Sequence, residues 1–232
     1  MAIYVMSDIH GNYEKYIQAL NKINLKDSDT LFIIGDIVDR VSQPIKILQD
    51  MMYRHNIIPI IGNHEFIAYS ILKVVFQKID DENSYKFDKK FLKDILLWFK
   101  EGGKTTFEEF KALSKKDMEK ILDYLREFEA YEEVRVNDVD YILVHAGLGN
   151  FREDKKLYEY SLDELIFTRT DYSKPYYKDK IVITGHTPVQ VITNKKSNKI
   201  YKSNNHIAID CGCGYGGKLA ILCLDTMEEI YI

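Results

Sequence analysis

Apolar runs that stop abruptly in short polar clusters set the rhythm of this chain. Residues 2–7 (AIYVMS) read as a first strand, and Asp8-Ile9-His10-Gly11-Asn12 follows at its end. Asn12 can cap a helix running to about Ile23, where Tyr16, Ile17, Leu20 and Ile23 share one face. Residues 30–34 (TLFII) form a second strand that ends in Gly35-Asp36-Ile37-Val38-Asp39-Arg40. Pro44 opens a second helix carrying Ile45, Ile47, Leu48 and Met51. A third strand, 57–61, runs into Gly62-Asn63-His64-Glu65. Strand, loop and helix in repetition predict an α/β fold of parallel strands covered by helices. In such sheets, polar groups at the carboxyl ends of strands are where sites are built.

From Phe66 to about Ala130 the period changes to that of helices, as in Leu92, Ile95, Leu96 and Phe99. Gly102-Gly103 interrupts it, and helices are expected again at about 105–113 and 115–129. This stretch is read as a helical insertion within one domain spanning 1–232, because polar strand-end clusters flank it on both sides. Strands resume at Tyr131–Val136 and Asp140–Val144, joined as a hairpin, and the second ends in His145-Ala146-Gly147. A segment at 162–168 ends in Arg169, and strand 180–184 ends in Gly185-His186-Thr187-Pro188. The tail alternates short strands and turns, at 199–202, 207–210, 218–224 and 229–232, in antiparallel style.

Composition narrows the classes. A net charge of −4 argues against sequence-independent attraction to nucleic acid or anionic lipid. No apolar run approaches the ~20 residues of a membrane helix, and no leader is evident at the N-terminus. The 3 cysteines, Cys211, Cys213 and Cys223, lie late in the chain and are expected to be buried strand residues. The expected setting is a reducing cytoplasm, with no nucleic-acid or membrane partner. The tyrosines at 158, 160, 172, 176 and 177 are expected on a packed or half-exposed surface, with a substrate groove as the alternative.

The strand ends collect Asp8, His10, Asp36, Asn63, His145 and His186. Carboxylate, imidazole and amide donors in this mixture suit a pair of divalent ions such as Mn²⁺, Fe²⁺ or Zn²⁺. Asp36 is the best candidate to bridge two metals. His55 and His206 stand outside these clusters and are expected to be surface or helix-end residues.

Five ordered motifs, DIHGN (8–12), GDIVDR (35–40), GNHE (62–65), HAG (145–147) and GHTP (185–188), resemble the calcineurin-like metallophosphoesterases. More narrowly they are similar to the phosphoprotein phosphatase branch, which includes lambda-type serine/threonine phosphatases and symmetrical diadenosine tetraphosphatases. EGGKTTF (101–107), FTR (167–169) and IDCGCGYGGKLAIL (209–222) extend the resemblance over nearly the whole chain. It implies a four-layer α-β-β-α sandwich of two mixed sheets. It also implies that Asp8 and His10 hold one metal, that Asn63, His145 and His186 hold a second, and that Asp36 bridges them. His64 would be the proton donor to the leaving group, with Asp39 orienting it. Arg40 and Arg169 would clamp the phosphate.

The implied reaction is hydrolysis of a phosphate monoester by a hydroxide held between two metals, without a phosphoenzyme. Manganese is the expected metal, with iron or zinc as alternatives. The first expectation is a phosphoserine/phosphothreonine protein phosphatase, with phosphotyrosine a further candidate. The alternative is a nucleotide hydrolase of the diadenosine tetraphosphatase kind. A catalytically silent binding module would require loss of a ligand or of His64, and none is lost. A nucleic-acid phosphodiesterase would want a basic channel, against the acidic balance. One departure stands out. Val41 occupies a position where the family usually has glycine, and a β-branched residue resists positive φ.

Overall fold

In a computed structural model, residues 1–79, 87–196 and 198–232 are described. The first half folds as strand β1 (Ile3–Met6), helix α1 (Tyr13–Ile23), β2 (Thr30–Ile34), α2 (Pro44–Met51) and β3 (Ile57–Ile60). The local chemistry agrees with these bounds. Asn12 Oδ1 accepts from the Lys15 amide and caps α1, Asn24 closes it in the left-handed region, and Pro44 takes the first position of α2.

Four helices follow: α3 (Asn63–Ile79), α4 (Lys89–Lys100), α5 (Lys104–Lys111) and α6 (Lys115–Arg126). They lie where helices are expected. However, α3 starts inside Gly62-Asn63-His64-Glu65, so His64 and Glu65 sit on its first turn. The chain then returns through β4 (Tyr131–Val136), β5 (Val139–Val144), α7 (Leu162–Ile166), β6 (Lys180–Thr184), α8 (Val189–Thr193), β7 (Tyr201–Ser203), β8 (His206–Ala208), β9 (Ala220–Cys223) and β10 (Glu229–Tyr231).

The ten strands among the described residues form two mixed five-stranded sheets, with orders β10-β9-β1-β2-β3 and β4-β5-β6-β8-β7. In the first, β1 pairs in parallel with β2 and β2 with β3, in the register Val5–Phe32–Ile58. Strand β9 joins β1 antiparallel, with Val5 opposite Leu222. In the second, β5, β6 and β8 run parallel in the register Leu143–Ile183–Ile207. Two hairpins close it, β4–β5 through Asn137-Asp138 and β7–β8 through Asn204-Asn205. All four turn residues have positive φ, which Asn and Asp tolerate.

Strand periodicity divides the apolar side chains between layers. Val5, Phe32, Ile34, Ile60 and Leu222 of one sheet pack against Leu143, Ile183, Ile207 and Ala208 of the other. The alternate residues Met6, Leu31 and Ile33 face the helical layer with Tyr16, Leu48, Leu72 and Ile121. Ile142, Val144 and Val182 face Leu157, Leu165 and Ile166 on the opposite outside. This is the four-layer α-β-β-α sandwich.

The segment at 162–168 carries helix α7, because Ser161 and Glu164 form a capping box at its start. Three local expectations need correction. The tail is not purely antiparallel, since β8 pairs in parallel with β6. His206 is buried, with Nε2 3.2 Å from the Lys174 carbonyl and its ring against Tyr172 and Tyr176. Its position at the start of a central strand outweighs the polarity of imidazole. All three cysteines are buried, but only Cys223 lies in a strand. Tyr160 and Tyr172 are buried and Tyr158 is exposed. No described helix is long and apolar enough to cross a membrane.

Candidate metal centre

The carboxyl ends of the parallel strands of both sheets meet at one edge of the sandwich. Strand β1 delivers Asp8 and His10, β2 delivers Asp36, and β3 delivers Asn63. From the second sheet, β5 delivers His145 and β6 delivers His186. All six residues predicted as ligands come together there. The two carboxylate oxygens of Asp36 face different partners. Oδ1 lies 3.2 Å from His145 Nε2, whereas Oδ2 lies 3.6 Å from His10 Nε2 and 3.8 Å from His64 Nε2. Asn63 Oδ1 stands 3.0 Å from His145 Nε2 and 2.9 Å from His186 Nδ1. Asp8 Oδ1 is 3.9 Å from His10 Nε2, and the His186 amide donates to Asp8 at 3.1 Å.

The protonation of these rings can be read from their outer partners. His10 Nδ1 donates to the Val38 carbonyl at 3.1 Å, and His145 Nδ1 donates to the Ile34 carbonyl at 2.9 Å. Each Nε2 therefore presents a lone pair to the interior, as in metal-ligating histidines. Burial drives the pKa of His10 and of His186 down to about 3 and lowers that of His145, which keeps the rings neutral. Burial, then the charges of Asp210 and Asp36, pushes Asp8 well above the usual carboxylate range. Inward-facing imidazole lone pairs gathered around two buried carboxylates are what divalent cations would relieve, so the residues present fit two such ions. Distances alone sort the atoms into two groups around Asp36, one with His10 and His64 and one with His145 and His186.

His64 differs from the other histidines in its outer partner. Its Nδ1 donates to Asp39 Oδ2 at 2.7 Å. Burial opposes charging this ring, but Asp36 and the Asp39 hydrogen bond outweigh it and lift the pKa to about 9. Asp39 is held in turn from the helical layer. Trp98 Nε1 donates to the same Oδ2 at 2.7 Å, and Thr106 Oγ1 donates to Oδ1 at 2.5 Å while accepting from the Asp39 amide at 2.9 Å. The Arg40 amide donates to the Gly102 carbonyl at 3.0 Å. EGGKTTF thus supplies the frame for the Asp39-Arg40 corner. Gly102, at φ +106°, comes so close to Arg40 that no Cβ would fit.

Glu65 and Asp210 are site residues that sequence reasoning missed. Glu65 is fully buried and accepts from the amides of Asp36, Ile37, Val38 and Gly62 at 2.7–3.0 Å, which fixes the β2 loop. Burial, then the Asp36 charge, raises its pKa to about 7 against those four donors. Asp210 stands just past β8 and is also buried, with a pKa raised to about 7 by desolvation. Its signal was the one that singled out Asp8: an apolar strand that ends in an acid.

Arg40 Nη1 donates to His10 Nε2 at 2.7 Å, its Nη2 lies 3.1 Å from His64 Nε2, and its guanidinium rests 4.3 Å from the centre of the Tyr215 ring. The His10 lone pair cannot serve Arg40 and a metal at once. Arg169 comes from the loop after α7, where its Nη1 donates to Thr187 Oγ1 at 3.1 Å. Both arginines line one cavity of about 650 Å³, together with Asp36, Asn63, His64 and His186. The concern over Val41 is answered here. Positive φ falls on Asp39 (72°) and Arg40 (71°), and Val41 is not among the positive-φ residues, so the valine is unstrained. Asp8, His10, Asp36 and His186 also have positive φ.

The sequence profile of the calcineurin-like phosphoesterases matches residues 1–190. This chain belongs to that family. Two relatives cover it almost end to end. Bis(5'-nucleosyl)-tetraphosphatase PrpE [asymmetrical] of Geobacillus sp. (strain WCH70) is 25% identical over 100% of this chain and 94% of its own length. Bis(5'-nucleosyl)-tetraphosphatase, symmetrical, of Wigglesworthia glossinidia brevipalpis is 25% identical over 97% of each chain. Among solved structures, "Crystal structure of a putative diadenosine tetraphosphatase" superposes with a TM-score of 0.66 at 17% identity, covering 100% of this chain and 92% of that one, and so shares the fold. Members of the calcineurin-like family are metal-dependent hydrolases, and the two groups of ligand atoms around Asp36 suit that chemistry.

Proposed function

We propose that this phosphoesterase hydrolyses a phosphoanhydride bond in a dinucleoside polyphosphate. The observation that carries the phosphoester reading is the two-sided Asp36 carboxylate, with each oxygen turned to a separate set of nitrogen donors beneath Arg40 and Arg169. The names of the two relatives favour a dinucleotide over a phosphoprotein, and hence the alternative sequence expectation over the first.

In this reading Asp8, His10 and Asp36 would hold one cation, and Asp36, Asn63, His145 and His186 would hold the other, with Mn²⁺ the expected ion. The ions, when bound, would lower the pKa of a water and draw charge from a phosphoryl oxygen. Arg40 and Arg169 bind the remaining phosphate oxygens by charge-assisted hydrogen bonds. Arg40 leaves His10 Nε2 to do so. His64 gives a proton from Nε2 to the departing phosphate oxygen, and Asp39 fixes the ring through Nδ1. Asp39 cannot swing away, because Trp98 and Thr106 hold both of its oxygens.

The test is a side-by-side turnover assay in Mn²⁺ with diadenosine tetraphosphate and a phosphoserine peptide, products separated by chromatography. The expected result is a kcat/KM at least tenfold higher for the dinucleotide. Two ADP would mark symmetrical cleavage, and AMP with ATP asymmetrical cleavage. Preference for the peptide would overturn this reading and restore the protein phosphatase.

A further inference from the structure

One aromatic side chain beside Arg40 stands largely exposed at the mouth of the site. Tyr215 sits at the tip of the loop between β8 and β9, within Gly212-Cys213-Gly214-Tyr215-Gly216-Gly217. The loop is firmly built. The Tyr215 amide donates to the Gly212 carbonyl at 2.9 Å, and the Gly217 amide donates to the same oxygen at 2.8 Å. Cys213 is buried with its thiol against the Ile9 carbonyl, and Lys15 Nζ donates to the Gly217 carbonyl. Gly214 lies so close to the His10 ring that a Cβ there would collide with it. The loop backbone is thereby pinned to the metal centre.

Yet the side chain this loop carries is 69% exposed, and its hydroxyl makes no hydrogen bond among the described residues. One face of the ring lies against the Arg40 guanidinium, 4.3 Å from the ring centre. The rest opens on the catalytic cavity, which Tyr215 lines together with Val191 and Gln190. An apolar ring held in water by a rigid backbone loses little entropy when something stacks on it.

We propose that Tyr215 is the platform for a substrate base: a nucleobase stacks on the ring while the adjacent phosphate is held by Arg40. The proposal rests on the dinucleotide reading above and adds the residue that would let this site favour nucleotides over other phosphoesters. The arrangement suits a purine, whose flat π-face matches the ring, and every base offers such a face. A merely structural role for Tyr215, that of steering Arg40 by cation–π contact, would affect all phosphate ligands alike.

The experiment compares AMP with ribose 5-phosphate, which keeps the phosphate and sugar and lacks the base. Inhibition constants are measured on Mn²⁺-loaded protein by competition against p-nitrophenyl phosphate, or dissociation constants by calorimetry should that ester not be turned over. Their ratio within one variant is independent of its specific activity. In the wild type AMP is expected to bind about tenfold more tightly than ribose 5-phosphate, the size of one base stacked on an aromatic ring. Tyr215→Ala and Tyr215→Leu should bring the ratio close to one, and Tyr215→Phe should keep it within about twofold of the wild type. A wild-type ratio near one, or a ratio preserved in the alanine and leucine variants, would overturn the proposal. Loss of AMP and ribose 5-phosphate binding in equal measure would assign Tyr215 to Arg40 positioning instead. A tenfold ratio alongside no cleavage of diadenosine tetraphosphate would refute the dinucleotide reaction and leave the base platform standing.

Discussion

Trp98 Nε1 and His64 Nδ1 both donate to a single oxygen of Asp39, each at 2.7 Å. The indole comes from α4, in the helical layer, and reaches under the loop that follows β2. Helices α4 and α5, through Trp98 and Thr106, therefore take part in the chemistry by way of a carboxylate on the loop after β2.

Trp98→Phe removes the indole donor while keeping an aromatic ring in place. A buried carboxylate oxygen then loses one of its partners, at a cost of about 1–3 kcal/mol. The denaturant midpoint should fall with the slope unchanged, followed by circular dichroism because Trp98 is the sole tryptophan. A shift below about 0.5 kcal/mol would mean that the bond contributes little.

Glu65→Gln should be more damaging. The carboxylate serves four backbone amides, whereas glutamine offers one oxygen and turns an NH₂ group toward donors. A loss of about 3–5 kcal/mol is expected, with weakened metal binding because Asp36 rides on that loop. Denaturant titration with and without Mn²⁺ separates the two effects.

Asp36→Asn keeps the shape of the side chain and removes the charge shared between both ligand groups. Metal stoichiometry by elemental analysis should fall below two per chain, and turnover should drop by about 10³-fold or more. Retention of two ions with near-normal turnover would rule out Asp36 as the bridge.

His64→Asn should discriminate by leaving group. Hydrolysis of an alkyl phosphate should lose about 10²–10⁴-fold, and hydrolysis of p-nitrophenyl phosphate much less, because a good leaving group needs little protonation. Equal losses on the two esters would argue for another role, including that of a metal ligand.

For protein stripped of metal, the pH dependence of stability follows from His64. Its folded pKa, about 9, lies above the unfolded value of 6.5. The folded state binds the extra proton, so the stabilisation is complete below pH 6.5 and is lost as pH rises through 9. On the order of 3 kcal/mol is at stake. His64→Gln should flatten that limb in denaturant titrations run from pH 6.5 to 9.5 (roughly the span of the shift). Below pH 6.5 two trends oppose, since His10 and His186 are held down to about 3 while Glu65 and Asp210 are raised to about 7. The acid limb is therefore expected to be shallow.

Much of the site could be read from the chain because its groups stand at strand ends. Asp8, Asp36, Asn63, His145 and His186 each stand within three residues of the end of an apolar strand, and parallel strands carry their carboxyl ends to one edge. What could not be read depends on reach across the fold. Trp98 looks like any apolar residue on a helix face, and only the packing of α4 reveals its donor. Thr106 was visible within EGGKTTF but not its partner, 67 residues away. Glu65 is hidden by its neighbour His64, and its four bonds to backbone amides leave no trace in sequence. Val41 misled by analogy, because the left-handed turn lies one residue earlier. His206 misled by polarity, because its place in the sheet was set by β6.

The positive φ angles at Asp8, His10, Asp36, Asp39, Arg40 and His186 have a consequence for how the protein can be altered. A left-handed backbone costs an ordinary residue roughly 1–2 kcal/mol, which glycine avoids. Arg40 and His10 have no short polar side chain to soften that cost. The edge that gathers the ligands is thus among the least relaxed parts of the chain, and it is held there by Glu65, Gly102 and the layers behind. Selection for heat resistance alone would reward glycine at such positions. It would lead toward proteins that fold more firmly and have surrendered their chemistry.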